Sequence, residues 1–252
     1  MSTAHYEVSE ATATITIDAP QRRNALSGAL LAELRSSLEA AETDPAVRSV
    51  ILTHTGPVFS SGMDLTAVAD LPAEQQPIVA FPALLQRIWE FGKPVIARVN
   101  GKARAGGIGL IAVCDIAIAA PAVDFAFTEV RLGLVPAVIS VPLLPRMLPR
   151  AALEYFLTGE TFGAERAREI GLLNVVAADL DAEVIRYTSM LRRCEPKALA
   201  GTKAMVRRDR NSLSMAEDFA AMGKLSAGYF ASAEAAEGIA AFAAKRAPSW
   251  AD

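Results

Sequence analysis

Residues 100–110 read NGKARAGGIGL, a glycine-rich segment that follows the short apolar stretch 94–99. An apolar run of this length, ended by turn residues, predicts a buried strand that leads into a turn over 100–109. An apolar helix is expected after that turn. The paired glycines Gly106 and Gly107 let the backbone approach a ligand closely. Because the first N–H groups of a helix have no partner inside it, the turn predicts outward-facing backbone donors.

A second loop with the same placement lies earlier in the chain. Residues 59–65 read FSSGMDL and follow the apolar, β-branched stretch 49–53, another predicted strand. Further strands over 4–18 and 116–119 alternate with helices that begin after Ser27 and near Glu74. This alternation predicts an α/β fold with a mostly parallel sheet. The two loops would then meet at one end of the strands, where open α/β sheets bind ligands.

The second half of the chain is predicted to be helical. Residues 145–244 are rich in Ala, Glu, Arg and Leu, and a long helical stretch is expected over 214–246 with a break near Ala231. The other predicted helix ends are Gly159, Gly171, Cys194 and Arg208. No repeat or low-complexity linker divides the sequence, so residues 1–252 are interpreted as one domain.

Composition and charge exclude several classes of protein. The chain has 25 basic and 28 acidic side chains, and its net charge of −3 offers no basic surface for a nucleic acid. Residues 1–9 carry no apolar run, which argues against a signal peptide, and the apolar stretch 108–114 is too short to span a membrane. Two cysteines and two histidines make neither a disulfide framework nor a histidine-rich metal site. We therefore expect a soluble, cytoplasmic protein without a metal centre.

Taken together, the motifs resemble those of the crotonase superfamily, the enoyl-CoA hydratase and isomerase family. They are the two loops above with RNAL at 23–26, TGE at 158–160, the segment 164–172 and FAAKR at 242–246, in this order along nearly the whole chain. The resemblance implies a crotonase-like (ββα) spiral core over 1–195 and a helical C-terminal trimerisation region over 196–252. It also implies a homotrimer or homohexamer that binds an acyl-CoA thioester.

The resemblance assigns roles to residues around that thioester. The N–H groups of Met63 and Gly106 would form an oxyanion hole, in which two fixed donors stabilise negative charge on the thioester oxygen. A neighbouring subunit would bring Phe242 and Lys245 to the coenzyme. The other implied coenzyme contacts are Ser61, Gly62, Met63, Asp64, Leu65 and Gly107. No cofactor is expected besides the coenzyme A of the substrate.

One carboxylate stands where the family has its acid–base group. Glu129, in the sequence FAFTEVRL of residues 125–132, matches one of two glutamates that family hydratases usually carry. Gly109 occupies the position of the other glutamate, and Ala105 stands where many members have glycine. Burial among apolar neighbours would raise the pKa of Glu129 and suit it to proton transfer near neutral pH. Residues 129–140 resemble the methylglutaconyl-CoA hydratase branch of the family.

Three functions follow from the resemblance and stay open at this point. The leading one is a lyase of fatty acid and lipid metabolism that adds water to a 2-enoyl-CoA. The second is an isomerase that moves a double bond with Glu129 alone. The third is a non-catalytic acyl-CoA-binding protein. The missing carboxylate at Gly109 favours the second and third, whereas the sequence around Glu129 favours the first.

Plainer interpretations of the same residues also stay open. Residues 107–112 match a dinucleotide-binding fingerprint, although ten residues of turn separate Val99 from the expected helix. Glu129 is alternatively a surface carboxylate paired with Arg131. Asp64 is interpreted as a cap of its turn rather than as a catalytic group, and Cys114 as a small core residue.

Overall fold

The computed structural model describes residues 3–64, 72, 76–208 and 232–250. The predictions for Leu65, for a helix start near Glu74 and for residues 209–231 lie outside the described residues. The chain divides into two compact units, Met1–Thr188 and Ser189–Asp252, and each is described by itself. The predicted single domain and its internal boundary at residue 195 stay predictions.

The larger sheet of the first unit carries the alternating strands that the sequence predicts. Its strands are β1 (Ala4–Ser9), β2 (Thr12–Ile17), β3 (Ser49–His54), β5 (Val95–Val99), β7 (Ile116–Ala119) and β10 (Val175–Val176). They pair in the order β1-β2-β3-β5-β7-β10. From β2 onward all neighbours are parallel, as the alternation of strands and helices requires.

The expected strand over 4–18 is two antiparallel strands joined by a tight turn. Glu10 and Ala11 have φ angles of 46° and 59°, so the backbone reverses there and β1 pairs with β2 from Ser9↔Thr12 outward. Two central residues with positive φ are typical of the hairpin turns that match the twist of the strands. Because the alternation of polar and apolar side chains continues through the turn, the sequence pattern predicted a single strand.

A smaller sheet holds the loop ends that matter for the site. It contains β4 (Val58–Ser60), β6 (Lys102–Arg104), β8 (Asp124–Ala126) and β9 (Phe162–Gly163), paired in that order. The chain passes from β3 to β4, from β5 to β6 and from β7 to β8, so each turn adds one strand to each sheet. Helices follow β4, β6 and β8, and this repeat is the predicted (ββα) spiral.

Helices of the first unit cover the sheets and follow the predicted patterns closely. They are α1 (Gly28–Thr43), α2 (Pro77–Glu90), α3 (Gly106–Val113), α4 (Ala137–Leu143), α5 (Pro149–Thr158), α6 (Ala164–Glu169) and α7 (Leu180–Arg192), the last of which continues past residue 188. Ser27 is the predicted N-cap of α1, and its hydroxyl accepts a hydrogen bond from the Leu30 N–H at 3.3 Å. Leu30, Leu34 and Leu38 are buried on one face of that helix.

The segment 100–109 differs from its prediction in one respect. It is not a turn throughout: residues 102–104 form β6, and α3 already begins at Gly106. Gly109 therefore lies inside a helix whose residues are all buried. A buried helix can carry glycines because neighbouring elements pack directly onto its backbone.

The second unit contains α8 (Pro196–Arg207) and α9 (Ala233–Ala243). An ion pair between Lys197 and Glu234 joins them. The Trp250 indole N–H donates to the Arg193 carbonyl oxygen at 3.1 Å. Part of the long helix predicted over 214–246 is thus present as α9, and the rest lies outside the described residues.

Candidate functional site

Hydrogen bonds from a buried asparagine of the 23–26 motif fix the chain that leads into the first loop. Asn24 is fully buried, and its side chain accepts a hydrogen bond from the Ala19 N–H at 2.8 Å. Its amide nitrogen donates to the carbonyl oxygens of Thr55 at 3.0 Å and Val58 at 2.7 Å. These bonds fix the chain between β3 and β4 and so determine where the loop after β4 begins.

The orientation of the Met63 N–H follows from a short parallel bridge with Leu26. The Leu26 N–H donates to the Gly62 carbonyl oxygen at 2.8 Å, and the Asp64 N–H donates to the Leu26 carbonyl oxygen at 3.3 Å. In a parallel bridge the residue between those two bonds points its own N–H to the opposite side. The Met63 N–H has no acceptor among the described residues.

The second donor comes from the start of α3. Ala105 has φ 48° and ψ −121°, a conformation that residues other than glycine rarely adopt. This bend turns the chain into the helix, so Gly106 is its first residue and its N–H cannot be satisfied within the helix. No acceptor for that N–H is present in the described part of the chain.

The two loops converge closely. A Cβ atom placed on Gly62 would lie 3.4 Å from the Gly106 nitrogen and 3.0 Å from Ala105 Cβ. A Cβ on Gly107 would lie 2.8 Å from the carbonyl oxygen of Ser60. Met63 and Gly106 line the same cavity of about 330 Å³. Two residues whose backbone N–H groups have no acceptor in the described part of the chain therefore border one cavity.

Glu129 lines this cavity as well. It begins the short 3-10 helix Glu129–Leu132, and its Oε2 atom is buried and accepts no hydrogen bond from any described residue. Burial raises the pKa of Glu129 above its ordinary value, with a smaller opposing effect from a backbone hydrogen bond. The alternative of an ion pair with Arg131 is wrong for the described residues, because the Arg131 guanidinium lies beside the Thr158 carbonyl oxygen.

The place of the second glutamate is filled by an apolar side chain. A Cβ atom on Gly109 would lie 2.5 Å from Cγ2 of Ile139 and 3.7 Å from Cδ1 of Leu85. Ile139 is 3% exposed and lines the cavity. A side chain at residue 109 would clash with Ile139 unless Ile139 moved. An isoleucine methyl group therefore occupies the space that the side chain of a second carboxylate would need.

The dinucleotide-binding interpretation of residues 107–112 does not hold. The open sides of Gly107 and Gly109 face Ser60 and Ile139, and those contacts leave no room for a pyrophosphate beside the glycines. Cys114 is buried in the core, as predicted.

The other predicted coenzyme contacts fall into different settings. Ser61 lines the cavity, and Gly62 has φ 91°. Asp64 is 4% exposed and pairs with the Arg22 guanidinium at 2.5 Å, so its carboxylate ties the loop to the 20–22 turn. Lys245 is exposed in the second unit, and the side chains of Phe242 and Leu65 lie outside the described part. Their coenzyme contacts stay predictions.

Three residues of the site were not singled out for their structural role by the sequence. Ser60 is fully buried and its hydroxyl accepts a hydrogen bond from the Gly62 N–H at 3.2 Å. Ala105 carries the strained bend, and Ile139 fills the space at Gly109. A β-strand followed by SSG could have indicated the serine, but the strain and the packing depend on contacts between distant segments.

The described residues contain no group of three or more His, Cys, Asp or Glu side chains placed to hold a metal ion. They also contain no helix with the length and apolar character needed to cross a membrane.

The sequence model of the family described as enoyl-CoA hydratase/isomerase matches residues 7–252. The chain belongs to this family. Among its relatives, the 2,3-dehydroadipyl-CoA hydratase of Escherichia coli K12 is 32% identical over 239 residues, which cover 94% of this chain and 93% of the relative. The structure of an enoyl-CoA hydratase from Mycobacterium smegmatis is 32% identical, with a TM-score of 0.91 over 99% of both chains. An enoyl-CoA hydratase structure from Mycobacterium avium is 41% identical, with a TM-score of 0.76 over 99% of both chains.

These comparisons confirm the main predictions from the sequence. Membership of the enoyl-CoA hydratase/isomerase family, the crotonase-type α/β fold and an enzyme that processes acyl-CoA thioesters are all established. The narrower resemblance to the methylglutaconyl-CoA hydratase branch stays a prediction.

Proposed function

We propose that this enzyme adds water to a 2-enoyl-CoA, with Met63 and Gly106 as oxyanion donors and Glu129 as the acid–base group. One observation carries the proposal: the buried Glu129 Oε2 atom, which has no hydrogen-bond partner among the described residues, belongs to the same cavity lining as Met63 and Gly106, whose backbone N–H groups have no acceptor there either. Polar groups without partners inside a folded protein are uncommon, so this combination supports a ligand that pairs with them.

The backbone donors account for the electrophilic half of the reaction. Addition at C3 of the enoyl group moves an electron pair toward the thioester oxygen, and two donors aimed at that oxygen stabilise the charge as it forms. Each such donor is worth roughly 3 kcal/mol in comparable sites. Because the donors belong to a loop that is hydrogen-bonded to Leu26 and to a buried helix start, they need little reorganisation during the reaction.

Glu129 accounts for the proton transfers. Its carboxylate takes one proton from a water molecule as the hydroxyl oxygen bonds to C3, and the resulting carboxylic acid delivers that proton to C2. The product is a 3-hydroxyacyl-CoA, and the carboxylate is restored. Burial raises the pKa of Glu129, which favours the acid form that the second step needs.

Isomerisation is the second candidate, and Ile139 favours it. A single carboxylate can remove a proton from C2 of a 3-enoyl-CoA and return it to C4, with the same oxygen of the thioester holding the charge. That reaction needs no bound water. With an isoleucine methyl group beside Gly109, Glu129 is the one carboxylate among the described lining residues that could orient water in a hydratase.

Absorbance of the conjugated thioester separates these reactions. The purified protein is incubated with crotonyl-CoA and, separately, with a 3-enoyl-CoA. Hydration predicts loss of the conjugated absorbance from crotonyl-CoA. Formation of that absorbance from the 3-enoyl-CoA, without any loss from crotonyl-CoA, would establish isomerisation instead. Binding of both compounds without turnover would overturn both proposals.

We further propose a cytoplasmic homotrimer or pair of trimers that needs no cofactor beyond the coenzyme A of its substrate. Large apolar side chains exposed on the first unit support an assembly: Leu153 and Leu157 lie one turn apart on α5 and are 63% and 68% exposed. Exposed apolar surface of this kind is typical of subunit interfaces. Light scattering on the purified protein tests the assembly, and a monomer at micromolar concentration would refute it.

A further inference from the structure

A histidine lies at the point where the larger sheet ends and the chain passes into the smaller one. The backbone pairs between β3 and β5 end two residues before His54. Beyond them, the Thr53 hydroxyl donates to the Arg98 carbonyl oxygen at 3.1 Å. One residue later, His54 Nε2 accepts a hydrogen bond from the Asn100 N–H at 3.1 Å. Side chains of β3 therefore continue the connection to the other chain segment where the backbones separate.

The hydrogen bonds of His54 determine its tautomer. A backbone N–H can only donate, so Nε2 carries no proton and accepts from Asn100. The proton of the neutral ring is then on Nδ1, which lies 3.2 Å from the Thr55 carbonyl oxygen and donates to it. The same carbonyl oxygen accepts from the Asn24 side chain at 3.0 Å. His54 thus joins the turn after β3 to the turn after β5.

The imidazole ring fits closely between these turns. His54 is 8% exposed, and its ring packs edge-on against Phe59 with 5.3 Å between the ring centroids. A Cβ atom on Gly101 would lie 2.7 Å from His54 Cε1 and 2.6 Å from the Pro57 carbonyl oxygen. The lack of a side chain at residue 101 therefore lets the ring lie against the turn that precedes β6.

Few backbone bonds set the register of β4 against β6. Each strand has three residues, and the two pairs of their ladder are separated by a shift of register. Such a shift interrupts a ladder locally, so the alignment of these strands depends on bonds outside it. The Lys102 N–H donates to the Pro57 carbonyl oxygen at 3.2 Å, and the bond between Asn100 and His54 lies two residues earlier.

We propose that His54 is a positioning residue, which by accepting the Asn100 N–H fixes the two loops against each other and so sets the spacing of the oxyanion donors. Met63 lies three residues past the end of β4, and Gly106 two residues past the end of β6. Both border the reaction cavity, the cavity of about 330 Å³ that also contains Glu129. The inference rests on the proposed function for the donor role of Met63 and Gly106, whereas the hydrogen bonds of His54 do not depend on it.

The surroundings of His54 favour the neutral ring that this role needs. Burial lowers the pKa of His54 below its ordinary value of 6.5, two backbone carbonyl oxygens oppose this effect, and the charge of Arg98 on β5 lowers the pKa further. Asp18, at the end of β2, accepts from the Thr55 hydroxyl, and Lys102, in β6, is paired with a carboxylate. A proton on Nε2 would face the Asn100 N–H, so protonation removes the bond.

The tautomer can be measured on the wild-type protein. Long-range ¹H–¹⁵N correlation spectra of ¹⁵N-labelled protein distinguish the two neutral tautomers from each other and from the charged ring. The chain has two histidines, so the signals of His54 are those that a His54→Gln variant lacks. We expect the Nδ1–H tautomer at pH 7. An Nε2–H tautomer, or a charged ring at that pH, would overturn the proposal.

Two amide side chains separate the two bonds of the ring. Glutamine places its terminal amide near the position of Nε2, and asparagine places its amide near Nδ1. His54→Gln therefore keeps an acceptor for the Asn100 N–H, whereas His54→Asn keeps only the group beside Thr55. We expect kcat/KM to fall by about ten- to a hundredfold in His54→Asn, mostly through kcat, and to stay within about threefold of wild type in His54→Gln. The substrate is crotonyl-CoA or the 3-enoyl-CoA, whichever the wild type converts.

Infrared spectra report on the donors without any turnover. The probe is butanoyl-CoA, a saturated thioester, labelled with ¹³C at its carbonyl carbon. Bound to the wild type, its carbonyl stretch should lie at lower frequency than in the free compound, because two N–H donors weaken the C=O bond. His54→Asn should lose most of that shift, and His54→Gln should keep it. His5→Gln, which replaces a histidine that is 58% exposed on β1, is the matched control and should match the wild type in both measurements.

Thermal unfolding gives a pH-dependent check on the neutral ring. Because the pKa of His54 is lowered in the folded state, the unfolded chain takes up the proton first, and wild-type stability falls as the pH drops below 6.5. His54→Gln lacks this group. The wild type should therefore lose about 2–4 °C more in Tm than His54→Gln between pH 7.5 and 5.5. An equal loss in the two proteins would contradict a buried neutral ring.

Equal carbonyl shifts in His54→Asn and His54→Gln would overturn the proposal, as would wild-type turnover in both. Failure of the proposed hydration is a separate result, since it appears as absent turnover of crotonyl-CoA while the carbonyl shift and its loss in His54→Asn persist. A wild type without any carbonyl shift would overturn the assignment of the donors on which both proposals rest.

Discussion

The two walls of the reaction cavity are built in different ways. The donor wall, residues 60–63 and 105–107, presents backbone groups and is held by hydrogen bonds from buried segments. The carboxylate wall, residues 128–139, presents side chains, and it includes Leu132, Leu134 and Val135 at 58%, 49% and 79% exposure. One wall is fixed by the fold, and the other depends on which side chains it carries.

This difference shows which of the two walls can accept substitutions that change the chemistry of the site. The donor wall works only while Gly62, Gly106 and Gly107 lack side chains, because a Cβ on each would contact the facing segment within 3.0 Å. The carboxylate wall can gain or lose an acid–base group by one substitution without moving the backbone. Substitutions on the donor wall should therefore affect folding and activity together, whereas substitution of Glu129 on the carboxylate wall should separate them.

Glu129→Gln is expected to have the largest effect on activity. The amide cannot carry a proton between water and carbon, so kcat should fall by roughly 10²–10⁴ or more. Binding of a saturated acyl-CoA should stay nearly unchanged, because the donor wall is intact. Glu154→Gln, at an exposed position of α5, is the matched control and should keep full activity.

Stability of the same variant provides an independent check on the burial of Glu129. The raised pKa means that the folded state disfavours the ionised carboxyl, so wild-type stability is lost as the pH rises through that pKa. Glu129→Gln should therefore be more stable than wild type at pH 8, and the difference should vanish below the ordinary glutamate pKa. Thermal unfolding across pH measures it. A difference that grows toward acid pH would contradict the assignment.

Gly62→Ala should reduce activity and stability together. Its φ of 91° disfavours a side chain, and the new Cβ would lie 3.0 Å from Ala105 Cβ and 3.4 Å from the Gly106 nitrogen. We expect a loss of about 1–3 kcal/mol in the free energy of unfolding and of about tenfold or more in kcat/KM. Gly28→Ala, at a helix start with open space around it, should be neutral or slightly stabilising. Full activity in Gly62→Ala would show that the donors tolerate displacement.

Gly109→Ala tests the contact that replaces the second glutamate. The added methyl group would lie 2.5 Å from Ile139 Cγ2, and overpacking of this kind costs about 1–3 kcal/mol. Ile139→Ala alone should also destabilise, by about 2–5 kcal/mol. Combined, the two substitutions should cost less than their sum, with a coupling energy of about 1 kcal/mol or more in urea unfolding. If the two losses of stability simply add, residues 109 and 139 are not in contact.

The fold could be predicted from the sequence because its signals are local and repeat along the chain. Apolar stretches such as 49–53 and 94–99 became β3 and β5, and Ser27 became the cap of α1. The hairpin at Glu10 was missed because Glu and Ala are not typical residues for positive φ. The sequence pattern of alternating side chains runs through the turn without a break.

The convergence of the two loops could also be predicted, because each loop follows a buried strand of one mostly parallel sheet. The choice of Met63 and Gly106 as donors came from the family resemblance and stays a prediction. That Glu129 faces the same cavity, and that Ile139 fills the place beside Gly109, depends on how α4 packs on α3. Such contacts between segments thirty residues apart leave no local pattern in a single sequence.

Ala105→Gly is expected to have the smallest effect, and in the opposite direction. At φ 48° and ψ −121° the alanine is strained by about 1–3 kcal/mol, whereas glycine adopts this conformation freely. Part of that gain is lost to the greater freedom of glycine in the unfolded chain, so we expect a net stabilisation of about 1 kcal/mol in urea unfolding. Ala103→Gly, two residues earlier in β6 and without a positive φ, should be destabilising instead. If both substitutions destabilise alike, the bend before Gly106 is relaxed, and the Gly106 N–H is then held in place by the packing of α3 rather than by a backbone under strain.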